Sequence, residues 1–305
     1  MIQTLFAWIL VIGALPAAYP WSAWLLLRSP RRDSRWLPAL LALALSVGAF
    51  TLLMFWQSVL GLRFTLASIT LPYLALMLPG WWLWRGRSLP LPRLPTTQAE
   101  RFMLLLIALV SIAVLFNAVY WPFYRDDTLG IYARYAAEMA QTHTLPTFAG
   151  RDEAFYQAYP MQMPLIYSYA YLASGWQNEY LARLIPALFS LGCLPAAFVL
   201  GQLVYDTRAG WLAALLLAFA PTFARWASSG YVDLPMAFLY TLTAIFAWRL
   251  WAGGGWLDAL LAGVLIGLAA WTKNAALLAV LFLAAWLVFG WLMRRFTLRH
   301  VLLAL

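Results

Sequence analysis

Long, unbroken apolar runs separated by short arginine-bearing breaks set the rhythm of this chain. Runs over 2–27, about 37–60, 64–84 and 102–121 each hold the roughly 20 apolar residues that an α-helix needs to cross a bilayer. One long mixed stretch, about 122–180, interrupts them. Further runs follow at about 183–204, 211–228, 234–252, 256–271 and 275–293, and Val301–Leu305 reads as the start of a span cut short, as in a fragment. The pattern predicts an all-α, polytopic transmembrane protein of about nine or ten spans. A porin-like barrel is excluded, because its strands alternate apolar and polar residues over about ten positions. The first run is too long and too proline-interrupted for a cleaved signal peptide, and the basic segment Arg28 to Arg35 follows it instead of a small-residue cleavage site.

Composition agrees with this reading. The 305 residues are 65% hydrophobic, 17% aromatic and 10% charged, against about a quarter charged for soluble domains. Eighteen tryptophans supply aromatic belts for both interfaces. Cys193 is the one cysteine, which rules out a disulfide framework or a Cys-rich metal site. The net charge of +9 is not a nucleic-acid signal, since the excess sits in short loops between spans.

Those loops set the orientation. With Arg28, Arg31, Arg32 and Arg35 in the cytoplasm, alternation also places Arg85, Arg87, Arg93, Arg101, Arg208, Arg249, Arg294, Arg295 and Arg299 inside. Thirteen of the twenty basic residues are then inside, leaving Arg63, Arg125, Arg134, Arg151, Arg183, Arg225 and Lys273 outside over a much longer loop length. Seven of the eleven carboxylates fall on the outer side, six of them in the one long loop. Carboxylate chemistry is expected there, in an extracytoplasmic loop of a cell inner membrane.

That loop opens with Trp121 to Gly130, where the adjacent pair Asp126 and Asp127 follows directly on a span. Residues 128–141 read as an amphipathic surface helix: Leu129, Tyr132, Ala136 and Met139 form one face, and Arg134 and Glu138 an i,i+4 pair on the other. After the polar segment around Arg151, Asp152 and Glu153, which reads as a solvated turn, the Tyr-rich stretch 159–174 predicts a second interfacial helix. Two surface helices flanking a carboxylate pair at the bilayer boundary make a half-wet cleft, where a lipid headgroup meets a water-soluble acceptor.

The order of a span, Asp126-Asp127, a surface helix with Tyr132 to Met139, then Tyr159-Pro160 and Pro164-Leu165, resembles the GT-C class of membrane glycosyltransferases. Glu179 to Pro186 with Arg183, Tyr231 to Pro235 with Asp233, and Gly267 to Asn274 with Lys273 continue the same order. The nearest branch is that of the protein O-mannosyltransferases and lipid A aminoarabinose transferases. The resemblance covers roughly 102–293 as a catalytic core, with the outer loop at 122–182. Residues 1–101 form a three-span N-terminal extension, a departure from the family pattern. Residues 294–305 form a cytoplasmic loop and the beginning of a span. The later spans and the soluble outer domain that many members carry do not appear in this sequence.

What the resemblance implies is transfer of a sugar from a polyprenyl-phosphate carrier to an acceptor hydroxyl on a protein, lipid or glycan. Asp126, the first acid of the pair, is the implied general base, with Asp127 beside it. An inverting transfer needs one carboxylate to take the acceptor proton. No acid is needed on the leaving side, because a lipid phosphate departs as an anion, unlike the alcohol leaving group of a glycosidase. Arg125, Arg183 and Lys273, the one lysine in the chain, are the implied partners of the donor phosphate. Each residue also has a plainer reading. Asp127 suits a helix N-cap, Asp233 with Pro235 suits a helix start, and the arginines suit snorkelling to headgroups. Tyr159 and Asp233 are cleft candidates, although Tyr159 and the tyrosines of 167–171 also suit an interfacial belt. His143 and His300 stand alone, so no protein-held metal site is expected from them. The resemblance leaves a divalent metal ion at the acidic pair open, since some members use one. Gly253 to Gly255 lacks the Lys-Ser/Thr of a phosphate loop. Two other classes compete: a carrier-lipid-binding subunit without transfer activity, and a lipid or solute transporter. The second is disfavoured because the ionisable residues gather at helix ends and no halved repeat is present.

Overall fold

The computed structural model describes residues 2–29, 34–85, 95–146 and 158–305. Arg31, Arg32, Asp33, Arg87, Arg93, Arg151, Asp152 and Glu153, used above for orientation and for the solvated turn, lie outside the described residues. The described residues form helices and connecting turns, with no strand among them. Six of the helical segments are long and apolar enough to cross a membrane, and Thr207–Ala218, Trp256–Thr272 and Ala276–Leu292 are shorter apolar helices.

The first run is one candidate span, Gln3–Leu27, broken into α1 (Ile2–Ala14) and α2 (Tyr19–Leu27). Pro16 lies in the break and Pro20 in the first turn of α2, and each ring removes a backbone donor. Neighbouring helices meet the freed groups. Tyr73 donates its hydroxyl to the Ala14 carbonyl at 2.8 Å, and the Ala18 amide donates to Ser46 Oγ at 2.9 Å. A broken helix survives within hydrocarbon only with such repair.

Helices α3 (Leu37–Val59), α4 (Leu66–Trp84) and α5 (Gln98–Tyr120) follow. Capping boxes at Thr65 and Thr97 start α4 and α5. Most of α5 is exposed, as expected of a helix facing lipid.

The surface helix near 128–141 is present with a changed register. A π-helical turn, Thr128–Ala133, feeds α6 (Arg134–Thr142). Ile131, Tyr132, Tyr135, Ala136 and Met139 are buried, whereas Leu129, expected on that face, is 44% exposed. The wider π turn advances less per residue than the 3.6-residue period assumed, so Leu129 rotates off the stripe.

The next helix, α7 (Gln162–Ser174), departs further from expectation. Every residue of it except Leu172 is buried, so it is a central strut and not a one-sided surface helix. It carries no charged residue, which lets every face find packing partners. Tyr169 stacks edge-on against Phe50 at 4.5 Å and shares a 2.9 Å hydrogen bond with Thr70, joining α7 to α3 and α4.

The remaining elements are α8 (Glu179–Val204), α9 (Thr207–Ala218), α10 (Pro221–Trp226), α11 (Asp233–Trp251), α12 (Trp256–Thr272), α13 (Ala276–Leu292) and α14 (Leu298–Ala304). A Cβ on Gly210 would meet the Phe198 carbonyl at 2.6 Å, so α8 and α9 approach as closely as only glycine permits.

At one end of the bundle a buried polar knot ties three elements together. Arg249 Nε donates to Asp258 Oδ1 at 2.8 Å, and Arg249 Nη2 donates to Ser29 Oγ at 2.7 Å. Asp258 Oδ2 also accepts from the Gly255 amide at 3.0 Å. The glycines at 253–255 therefore turn the chain around an ion pair. The carboxylate pair and its neighbours lie at the opposite end.

Candidate active site

The site is built on the segment between α5 and the π turn. Two residues one helical turn apart on α8 hold it. Glu179 Oε2 accepts from the Phe123 amide at 3.0 Å. Arg183, fully buried, donates through Nη1 to the Trp121 and Pro122 carbonyls at 2.6 and 2.9 Å, and through Nε to the Ser228 carbonyl. Arg183 thus pins the approach to Asp126 to the loop that leads to Asp233. Gly230 completes the joint. Its φ of +85° is the left-handed region, and a Cβ there would meet Phe123 at 2.5 Å and Thr128 at 2.9 Å. Tyr167 donates to the Gly230 carbonyl at 3.1 Å from the middle of α7.

Asp126 and Asp127 emerge from this joint exposed to solvent. The π turn has no side-chain cap bond from Asp127, so the plainer reading of that residue as a cap does not describe its geometry. Arg125 lies half-buried between aromatic faces, its guanidinium carbon 5.0 Å from the Tyr124 ring centre and 5.1 Å from that of Trp226. The Arg183 guanidinium stands over the same Tyr124 ring at 4.8 Å. Two cations therefore share one aromatic ring. Arg125 Nε and Arg183 Nη2 are both buried without a hydrogen-bond partner among the described residues. Unspent cationic donors of this kind suit an anion.

A second group stands nearby. Lys273, in the turn after α12, donates from Nζ to Asp233 Oδ1 at 2.6 Å, and both side chains are partly exposed. Asp233 is the first residue of α11 and makes no cap bond; its carboxylate goes to the lysine. Thr272 Oγ1 donates to Gln162 Oε1, and Asn274 Nδ2 to the Ala158 carbonyl, which fastens this turn to the start of α7. Tyr132 joins the two groups. Its ring meets that of Tyr159 edge-on at 6.2 Å. Burial, then the charges of Asp233 and Asp127, hold its phenol well above the usual tyrosine range, so it stays protonated at physiological pH.

The fold therefore gathers Asp127, Asp233, Lys273 and Tyr159 around Tyr132, with Asp126 and Arg125 on the adjoining segment. It spends three of Arg183's contacts on backbone carbonyls and leaves only Nη2 for a ligand. Glu179, Tyr132, Gln162, Thr272 and Gly230 belong to the site although residue type alone did not single them out. Tyr132, Glu179 and Thr272 do lie within the stretches that carry the resemblance, and the i,i+4 spacing of Glu179 and Arg183 is a further sequence signal. His143 is a latch: its Nδ1 meets the Phe64 carbonyl at 2.6 Å, and the Phe64 amide donates to the His143 carbonyl at 2.7 Å. Among the described residues no three of His, Cys, Asp and Glu gather as a metal-binding set.

Residues 159–305, just under half of the chain, match the family described as dolichyl-phosphate-mannose-protein mannosyltransferase. No curated protein and no solved structure matches the chain. The matched stretch holds Tyr159, Gln162, Arg183, Asp233 and Lys273, while Asp126 and Asp127 precede it. Together with the many apolar helices of the bundle, this match supports an integral membrane glycosyltransferase of the GT-C type.

Proposed function

We propose that the protein moves a sugar from a polyprenyl-phosphate carrier to an acceptor hydroxyl at the extracytoplasmic face of the cell inner membrane, with inversion. Asp126 is the general base. It accepts the acceptor's proton while the oxygen attacks the anomeric carbon and the carrier phosphate leaves as an anion. Arg125, Lys273 and the free Nη2 of Arg183 receive that phosphate. Lys273 does so by exchanging the Asp233 carboxylate for a phosphate oxygen. Tyr132 and Tyr159 line the cleft, and Asp127 stands beside the base.

The observation that carries this reading is the adjacency of an exposed carboxylate pair to two guanidiniums with unspent donors and to the Lys273–Asp233 pair. A carrier-lipid subunit would need the cations without the acids.

The test is release of carrier phosphate in liposomes holding labelled polyprenyl-phosphate sugars, with a cell-envelope extract as acceptor. Wild type should consume one donor. Asp126→Asn should lower kcat by about 10²–10⁴-fold, the usual share of general-base catalysis, with donor binding kept. Asp127→Asn should lose far less. Equal activity of wild type and Asp126→Asn would remove Asp126 from the reaction. Donor binding without any turnover would leave a binding subunit.

A further inference from the structure

The C-terminal ends of α6 and α7 enclose a second concavity, of about 430 Å³, separate from the carboxylate cleft. Gln141, His143, Tyr171, Trp176 and Gln177 supply its chemistry, and no Asp, Glu, Lys or Arg lines it. The volume lies within the usual range for small-molecule sites, which pair aromatic walls with a few placed polar groups.

Trp176 stands on the wall and is 50% exposed, although it follows a helix whose other aromatic residues are all buried. Tyr171 is the opposite case. It is 2% exposed, and its hydroxyl has no hydrogen bond of acceptable geometry, with the Gln177 amide and the Glu179 carboxylate as its electrostatic neighbours. A buried phenol left so costs stability unless a ligand completes it. The Phe64 carbonyl can only accept, so His143 Nδ1 donates to it and Nε2 is the ring nitrogen left for a ligand. The inventory is one open aromatic face, two amides, a phenol and an imidazole, with no Asp, Glu, Lys or Arg in the lining. No cation lines it to hold a phosphate, and the one carboxylate that acts on Tyr171, Glu179, stands behind the lining and accepts from the Phe123 amide. It matches a pyranose or furanose, whose ring has an apolar C–H face and an edge of hydroxyl donors and acceptors.

The placement adds a direction. Tyr132 and Gln141 lie nine residues apart along the surface helix, and Gln162 and Tyr171 nine apart along α7. At 1.5 Å per residue each pair spans about 14 Å. Both helices run from the carboxylate cleft to this cavity, so one extended molecule can occupy the two together.

We propose that this cavity binds a neutral saccharide, the glycan portion of the acceptor, while its reactive hydroxyl reaches Asp126. The acceptor role rests on the transferase reading above; the saccharide site itself does not.

The experiment measures binding without turnover. The purified full chain in nanodiscs is titrated with labelled neutral disaccharides built on mannose, glucose and galactose, using equilibrium dialysis and saturation-transfer NMR. At least one should bind saturably. Trp176→Ala should weaken it tenfold or more, and Tyr171→Phe by about fivefold, the worth of one hydrogen bond. Gln141→Ala, at an exposed position, should weaken it severalfold with unchanged thermal unfolding, which separates ligand loss from misfolding. Asp126→Asn should bind as wild type does. An excess of polyprenyl-phosphate sugar should leave disaccharide binding intact. Displacement by that donor would overturn the acceptor assignment and give the cavity to the donor's own sugar. Absence of saturable binding, or binding indifferent to Trp176→Ala, would overturn the site. Loss of turnover in Asp126→Asn with no saccharide binding in wild type would keep the transferase and reject the pocket.

Discussion

Arg183 has two tasks that residue type alone does not separate. A buried arginine at the head of a helix, beside a carboxylate pair, reads as a phosphate ligand, and the resemblance implied as much. Its surroundings say that it first holds the backbone. Three carbonyls from two loops converge on one planar fork, a geometry that lysine cannot copy with a single rotatable ammonium. Nothing in the sequence could have signalled this, because the partners are main-chain oxygens that every residue carries. The two roles predict different losses. In Arg183→Lys the buried carbonyls lose charged partners at about 1.5–3 kcal/mol each. A holding role therefore lowers the thermal unfolding temperature and kcat together and leaves the donor KM near wild type. If KM for the donor rises tenfold while unfolding is unchanged, Nη2 alone matters and the holding role is secondary.

At the level of helices the sequence was largely legible, since a span is a long apolar run and its ends are marked by charge or by capping residues such as Thr65 and Thr97. Two elements were not. The π turn carries no composition cue, and Leu129 was assigned to a face it does not occupy. The strut α7 has the tyrosine content of an interfacial helix, and only its long-range partners Phe50, Thr70 and Gly230 reveal that it is buried all round. The hairpin of α11 and α12 holds a third feature, the Arg249–Asp258–Ser29 knot, which is buried at 1%, 0% and 4% exposure. Removing one charge leaves the other buried and alone. Arg249→Gln or Asp258→Asn should destabilise the protein by about 3–5 kcal/mol in detergent unfolding. Arg249→Met with Asp258→Leu removes both charges together and should recover most of that loss, short of about 1 kcal/mol for the cap on Gly255. A double variant no more stable than either single one would mean that the knot contributes more than charge neutralisation.

For the molecule as a whole, the charge rule and the packing agree on which residues share an end. Ser29, Arg249 and Asp258 were assigned inside and meet one another. His143, Arg183, Asp233 and Lys273 were assigned outside, and their side chains bond to one another or to the segments at that end. That agreement fixes which end is which only relative to itself; the absolute side rests on the arginine count. The chain makes a direct test simple, because Cys193 is its one cysteine and is buried within α8. Single cysteines placed at the exposed positions Leu62 and Gln177 should react with a membrane-impermeant maleimide on intact cells or right-side-out vesicles. Cysteines at Thr207 and Thr297, exposed at the other end, should react only after the membrane is opened. The reverse pattern would put Asp126 and Lys273 in the cytoplasm, and the donor would then have to present its sugar on that side. Reaction at all four positions before lysis would show a leaky preparation.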